Sequence, residues 1–325
     1  MSELLAVDSV DIQILVDNAT DTLSSTPAFV ETEAQGLTRR GVRIMGGKCL
    51  CCAAHGLSCL VTATRGGKTH TVLFDTGPED YAFERNVTRL GADLSVVDSI
   101  VLSHGHWDHA GAMLLALGMI RSKTGGKTIP WYGHPHMFGT RGVKLPNGTV
   151  RQMEDIPTAA DLTAFGAEVI ATREPQSILD DMFYVSGEIP RVTGYERGYP
   201  GQVRRKDDGT WEPDEPLIDE RFLAVNVAGK GLFVFSACSH AGIVNVLTHA
   251  RETFPGVPLH GAMGGLHLSG ANEAIIPQTV EGLRGFGLTT LAAGHCTGWR
   301  AMTALANAFG DKVLAPTAVG KTYTF

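Results

Sequence analysis

The sequence predicts a layered α/β protein, on three observations. Short apolar runs with strand character alternate with longer helix-like ones along most of the chain. A hydrophobic content of 43% with 19% charged residues is that of a globular chain burying a substantial core. The densest chemistry, His104-Gly105-His106-Trp107-Asp108-His109, lies between an apolar run ending at Leu102 and the helix-like run Met113–Leu117. Layered α/β proteins present their functional loops at such strand-to-helix junctions.

In chain order, Val10 to Val16 alternates loosely and reads as a first strand. Residues 19–47 show little periodicity and read as a long loop over the site mouth or as a disordered connection. Cys49-Leu50-Cys51-Cys52 holds one Cys-x-x-Cys spacing without a second. A structural zinc site needs four ligands, so these read as reduced, semi-buried thiols. Leu57–Thr64 and Thr71–Phe74 flank Arg65-Gly66-Gly67-Lys68 as a hairpin that ends at Asp75-Thr76-Gly77. The Asp75 carboxylate there suits a turn cap. Phe83–Leu90 is a short amphipathic helix, and Val96–Leu102 leads into the histidine cluster.

His104 and His106, one residue apart, point the same way on an extended or tightly turned backbone, so both can grip one ion. Asp108 and His109 diverge and can serve a second ion beside it. Zinc takes imidazole nitrogen and carboxylate oxygen, and a catalytic site keeps a position for water, whose pKa then falls to roughly 7.

A helix over 110–120 and a strand over Thr128–Gly133 follow. His134 and His136 offer two further imidazoles, as ligands or as lining of the substrate mouth, and 139–160 is polar and turn-rich. Leu162–Thr172 reads as helix or turn into a strand. Phe183-Tyr184-Val185 is a strand that breaks at Gly187-Glu188-Ile189-Pro190-Arg191, before a polar excursion to Pro216. Arg191 suits a clamp for carboxylate or phosphate, or is a surface arginine. Phe222–Val227 and Gly231–Phe235 form a hairpin, and Leu259–Met263 and Thr290–Ala293 are strands. Ile275–Phe286 and Ala301–Phe309 are helices, and Val313–Phe325 supplies a short last strand. His267, after Gly264-Gly265, lines the pocket or is a hydrogen-bonded loop histidine. No solenoid-length repeat is visible.

A net charge of −7 argues against a protein that holds a polyanionic backbone, while leaving room for a small phosphorylated substrate. No stretch approaches the roughly 20 apolar residues of a membrane span. The first residues lack a signal-type run, and six cysteines suit a reducing compartment. A cytoplasmic protein with a small-molecule substrate, no nucleic-acid or membrane partner and an open oligomeric state is expected.

The cluster resembles the His-x-His-x-Asp-His signature of the metallo-β-lactamase-fold superfamily. Further segments resemble one branch of it: His55-Gly56-Leu57-Ser58, Leu73-Phe74-Asp75-Thr76-Gly77, Gly187-Glu188-Ile189-Pro190-Arg191, Cys238-Ser239-His240-Ala241-Gly242, Gly264-Gly265-Leu266-His267-Leu268 and His295-Cys296-Thr297-Gly298. That branch includes archaeal synthases joining a dihydropterin to a ribofuranosylaminobenzene phosphate. The resemblance implies an αββα four-layer sandwich, here one domain over 1–325 with loop insertions near 19–50 and 190–217. It implies metal ligation by His104, His106, Asp108, His109, His240 and His295. Asp108 would orient the nucleophile or hold the second ion, and Asp75 would support the ligand histidines from beneath. Cys238 falls near the position where relatives bridge two metals. Glu188 stands where many members carry a ligand histidine, and with Arg191 and His267 it is assigned to substrate.

The implied activity is that of a hydrolase with one or two zinc ions (or manganese or iron) acting on an ester, phosphoester, lactone or amide. A dihydropterin-linked synthase and a non-catalytic metal sensor are the alternatives. A di-iron redox role is disfavoured, because His106 replaces the glutamate those relatives carry and no flavin domain is present.

Overall fold

In the computed structural model, which describes residues 4–325, two sheets lie face to face with helices on both outer sides. The first sheet runs Ala167–Ala171, Ile129–Gly133, Val97–Val101, Lys68–Phe74, Ser58–Arg65, Ser9–Val16, Thr322–Thr324 and Val30–Glu31. The second runs Gln176–Ile178, Phe183–Val185, Leu223–Val227, Gly231–Phe235, Leu259–Gly265 and Thr290–Gly294, with Ala6–Val7 pairing in parallel to Leu223–Val227.

Alternation along each strand builds the layers. Val10, Ile12 and Ile14 face Phe183, Leu223, Val225, Phe233 and Phe235 in the inter-sheet core, while Leu15, Leu60 and Leu73 point outward. On that outer face Asp80–Leu90 buries Ala82, Phe83, Val87 and Leu90, one stripe of a helix, alongside Met113–Lys123. Ile243–Thr253, Ile276–Arg284 and Trp299–Phe309 cover the other sheet. This is the expected αββα sandwich.

Three segments depart from expectation. Residues 19–50 hold a helix, Glu33–Arg39, started by a Thr32 capping box with Gln35. The segment packs on the helix Asp80–Leu90 instead of over the site mouth. Cys51 N–H donates to Glu33 at 2.6 Å, Cys52 N–H to Asn86 at 2.9 Å, and Arg85 donates to the Gly47 and Leu50 carbonyls. The polar stretches near 139–160 and 190–217 also acquire structure together. Arg141–Lys144, Val150–Gln152, Gln202–Arg205 and Trp211–Pro213 form a separate four-stranded antiparallel sheet. Among the described residues no helix is long and apolar enough to cross a membrane.

Candidate metal centre

The strand ends of both sheets converge on one cluster. From the first sheet, Val97–Val101 delivers Leu102, Ser103 and His104, and a short helical turn over Trp107–Ala110 carries Asp108 and His109. From the second, Gly231–Phe235 delivers Cys238 and His240, and Thr290–Gly294 delivers His295 and Cys296. His104, His109, His240 and His295 are buried, as are His106 and Asp108.

Two triads result. Ligand atoms of His104, His106 and His240 lie within 4.8 Å of one another, as do those of Asp108, His109 and His295. His104 Nε2 and His106 Nδ1 are 3.0 Å apart, His109 Nε2 and His295 Nε2 3.2 Å. Asp108 Oδ2 is 3.5 Å from His295 Nε2 and 3.7 Å from His109 Nε2. Two donors on one tetrahedral ion at bond lengths of 2.0–2.1 Å sit about 3.3 Å apart, so these separations match shared cations. His240 has both ring nitrogens buried without a hydrogen-bond partner, a costly state for imidazole unless something else takes the lone pair. The donor set therefore fits metal.

Cys238 Sγ joins His104 and His109 in a further group and lies 3.7 Å from His295 Nε2. It also contacts Cys296 Sγ at 3.0 Å and His267 Nδ1 at 3.4 Å.

Supporting residues fix the tautomers. Asp75 Oδ2 accepts from His109 Nδ1 at 2.7 Å and from the Ser103 hydroxyl at 2.7 Å, and Ser103 Oγ lies 2.9 Å from His104 Nδ1. Asp75 thus lies beneath the histidine loop, bonded to one histidine directly and to another through Ser103. His295 Nδ1 donates to Asn18 Oδ1 at 2.9 Å, leaving Nε2 turned inward, and its backbone N–H donates to Asp17 at 3.1 Å. His106 Nε2 meets the Gln202 amide at 2.8 Å. Four non-glycine residues at the cluster, Asp75, Ser239, His267 and His295, adopt left-handed backbone conformations, a strain that concentrates at functional sites.

The electrostatics follow from burial. It holds His104 and His240 well below the ordinary imidazole range and His106 down to about 3, so these present neutral rings. Burial also opposes charge on His109, but Asp108 and Asp75 outweigh it and push that pKa up to about 9. At Asp108 the imidazoles of His109 and His295, with His106 and His55, outweigh desolvation and lower the carboxyl.

Above the cluster lies a cavity of about 410 Å³, walled by Trp107, Met153, Tyr199 and Pro200. His267 faces it, packed against His240 with ring centroids 4.2 Å apart and planes tilted by 45°.

Two expected substrate residues lie elsewhere. Glu188 is exposed and pairs with His134 at 3.2 Å and Arg173 at 3.6 Å, because its strand ends before reaching the cluster. Arg191 turns its two terminal amino groups onto the carbonyls of Ile189, Pro216 and Leu217 and leaves Nε buried without a partner. Neither lines the cavity. His134 is buried, and His136 lines a separate cavity with Arg204 and Lys206. Asn18, Ser103 and Gln202 carried no sequence signal, since each acts through a contact distant in sequence or through an ordinary hydroxyl. His55, at the cavity rim 3.4 Å from Asp108, was visible only as part of a resembling segment.

A model of the metallo-beta-lactamase superfamily matches residues 56–118. The 7,8-dihydropterin-6-methyl-4-(beta-D-ribofuranosyl)-aminobenzene-5'-phosphate synthase of Methanocaldococcus jannaschii is 28% identical over 249 residues, 76% of this chain and 82% of that protein. An uncharacterised protein of the same archaeon is 30% identical over 258 residues, 78% of this chain and 88% of its own length. Among solved structures, Tm1679, a metal-dependent hydrolase of the beta-lactamase superfamily, is similar with a TM-score of 0.70 at 21% identity, covering 96% of this chain and 98% of that one. Unliganded yeast PDE1 is similar with a TM-score of 0.54 at 12% identity, covering 99% and 100%; both likenesses concern the fold alone. Matched motif, matched relatives and shared sandwich agree, and the chain belongs to the metallo-β-lactamase superfamily.

Proposed function

We propose that this protein is a metal-dependent hydrolase of a small, anionic molecule, with two zinc-class ions held by His104/His106/His240 and Asp108/His109/His295. The observation that carries the reading is the convergence of two buried triads at ligand spacing, with His240 otherwise unpartnered. Imidazole, carboxylate and a neighbouring thiol favour zinc over magnesium or manganese. When bound, such ions supply Lewis acidity and activate water at neutral pH.

The chain's own residues do the rest. Asp75 and Asn18 hold the imidazole protons on Nδ1 of His109 and His295. Asp108, ionised and directed inward beside His55, orients the attacking group. Trp107, Tyr199, Met153 and Pro200 seat an apolar portion of the substrate and exclude bulk water, and His267 contacts it from the floor. A cavity of about 410 Å³ admits a small molecule and, with a net charge of −7, argues against a polynucleotide. The test is metal content by mass spectrometry, paired with phosphodiester, phosphomonoester, lactone and thioester probes. Near-stoichiometric metal with turnover of one class supports the hydrolase.

A second reading, a synthase using a dihydropterin and an arylamine, is favoured by the archaeal relative's name and by the aromatic walls Trp107 and Tyr199. Pyrophosphate released from a dihydropterin diphosphate only when arylamine is present would select it. Bound metal without turnover in either assay would shift the reading to a metal sensor.

A further inference from the structure

Asp219, Glu220 and Arg221 follow one another at the entrance to strand Leu223–Val227, and all three side chains are buried. Three successive buried ionisable residues are costly unless each is fully engaged. Asp219 Oδ2 accepts the Gly105 amide at 3.0 Å and pairs with Arg141 at 3.0 Å. Arg141 donates in turn to the Gly105 carbonyl at 3.1 Å and to Asp214 at 3.0 Å. Both backbone polar groups of the residue between His104 and His106 are therefore gripped. A Cβ at Gly105 would collide with the Arg141 guanidinium and the Met137 backbone. Glu220 accepts the Ala241 amide, immediately after His240, and the Ser236 hydroxyl at 3.3 Å. Neither carboxylate lines the cavity.

We propose that Asp219 and Glu220 are positioning residues that set the spacing of the His104/His106/His240 triad, each by holding the backbone amide beside a ligand. The inference rests on the two-ion reading of the site. Adjacent on one strand entrance, the two carboxylates fix the 104–106 loop of the first sheet against the 239–241 loop of the second. The Asp108/His109/His295 triad is held by Asn18, Asp17 and Asp75, the last of which also reaches His104 through Ser103, and neither Asp219 nor Glu220 bonds any of these three. A disturbance at 219 or 220 therefore reaches one ion and spares the other.

The experiment is titration of the metal-free full chain with cobalt(II), followed by calorimetry and visible absorption, for wild type, D219N, E220Q and E220M. Wild type takes up two ions. D219N removes the charge facing Arg141 and weakens one ion by about tenfold or more, the usual effect of disturbing a ligand's support, with altered bands for that ion alone. E220Q keeps an oxygen for the Ala241 amide and behaves as wild type, whereas E220M fills the volume without an acceptor and behaves as D219N. Should E220M fail to fold, D219N decides. Two ions at wild-type affinity and spectrum in D219N, or equal weakening of both ions, would overturn the assignment. No uptake by wild type would instead overturn the two-ion reading beneath it.

Discussion

His106 illustrates how little freedom a proposed ligand side chain has here. Its Nδ1 faces His104 at 3.0 Å, its Nε2 is tied to Gln202, and burial keeps the ring neutral. His106→Ala should cost one bound ion and abolish turnover, while the metal-free protein melts within a few degrees of wild type. Retained activity in that variant would contradict the assignment. Glu220 provides a pH signature. Burial, only partly offset by Arg191 and the Ala241 amide, pushes its carboxyl up from 4.5 to about 7. A carboxyl raised in the folded state adds stability while protonated, fully below pH 4.5, and loses it as pH climbs through 7. In metal-free protein the Glu220 contribution should thus fall by up to about 3 kcal/mol over that window, against the opposite trend of the buried neutral His104, His106 and His240, and the slope should become more positive by that amount in Glu220→Gln. Urea unfolding at pH 5 and 7.5 measures both, and equal slopes would count against the account.

At the scale of elements, the histidine loop depends on neighbours the sequence does not announce. The strand Val97–Val101, the hairpin before it and the Asp75 turn were legible because apolar alternation and turn residues are local signals. The small sheet was not. Arg141–Lys144 pairs with Gln202–Arg205 some sixty residues away, and short polar strands carry no periodicity to reveal a partner. Yet that sheet supplies Arg141 to Gly105 and Gln202 to His106. Glu188 and Arg191 lie outside the cavity lining for the converse reason: a motif gives residue type but not where the strand stops. Gly105→Ala should lower stability by about 1–3 kcal/mol through overpacking, read as a lower denaturant midpoint. An unchanged midpoint would contradict the close approach of Arg141. At the cavity wall, Tyr199→Ala should raise KM more than it lowers kcat, since on the proposed reading Tyr199 seats the substrate and holds no ion; a fall in kcat alone would oppose this.

Across the whole molecule, the sandwich brings candidate ligands from both sheets to one edge. His104, His106, Asp108 and His109 come from the first sheet and His240 and His295 from the second. The signature cluster was readable because three histidines and an aspartate crowd six positions. His240 and His295 needed family resemblance, because their closeness to the cluster exists only after the two sheets pack. The supporting shell of Asn18, Asp219 and Glu220 is likewise a product of packing. The central claim is that both halves of the chain build one two-ion centre, and anomalous diffraction at the zinc edge from metal-loaded crystals tests it most directly. The account predicts two peaks about 3.5–4 Å apart, one on His104, His106 and His240 and the other on Asp108, His109 and His295. A single peak, or peaks away from these residues, would contradict it.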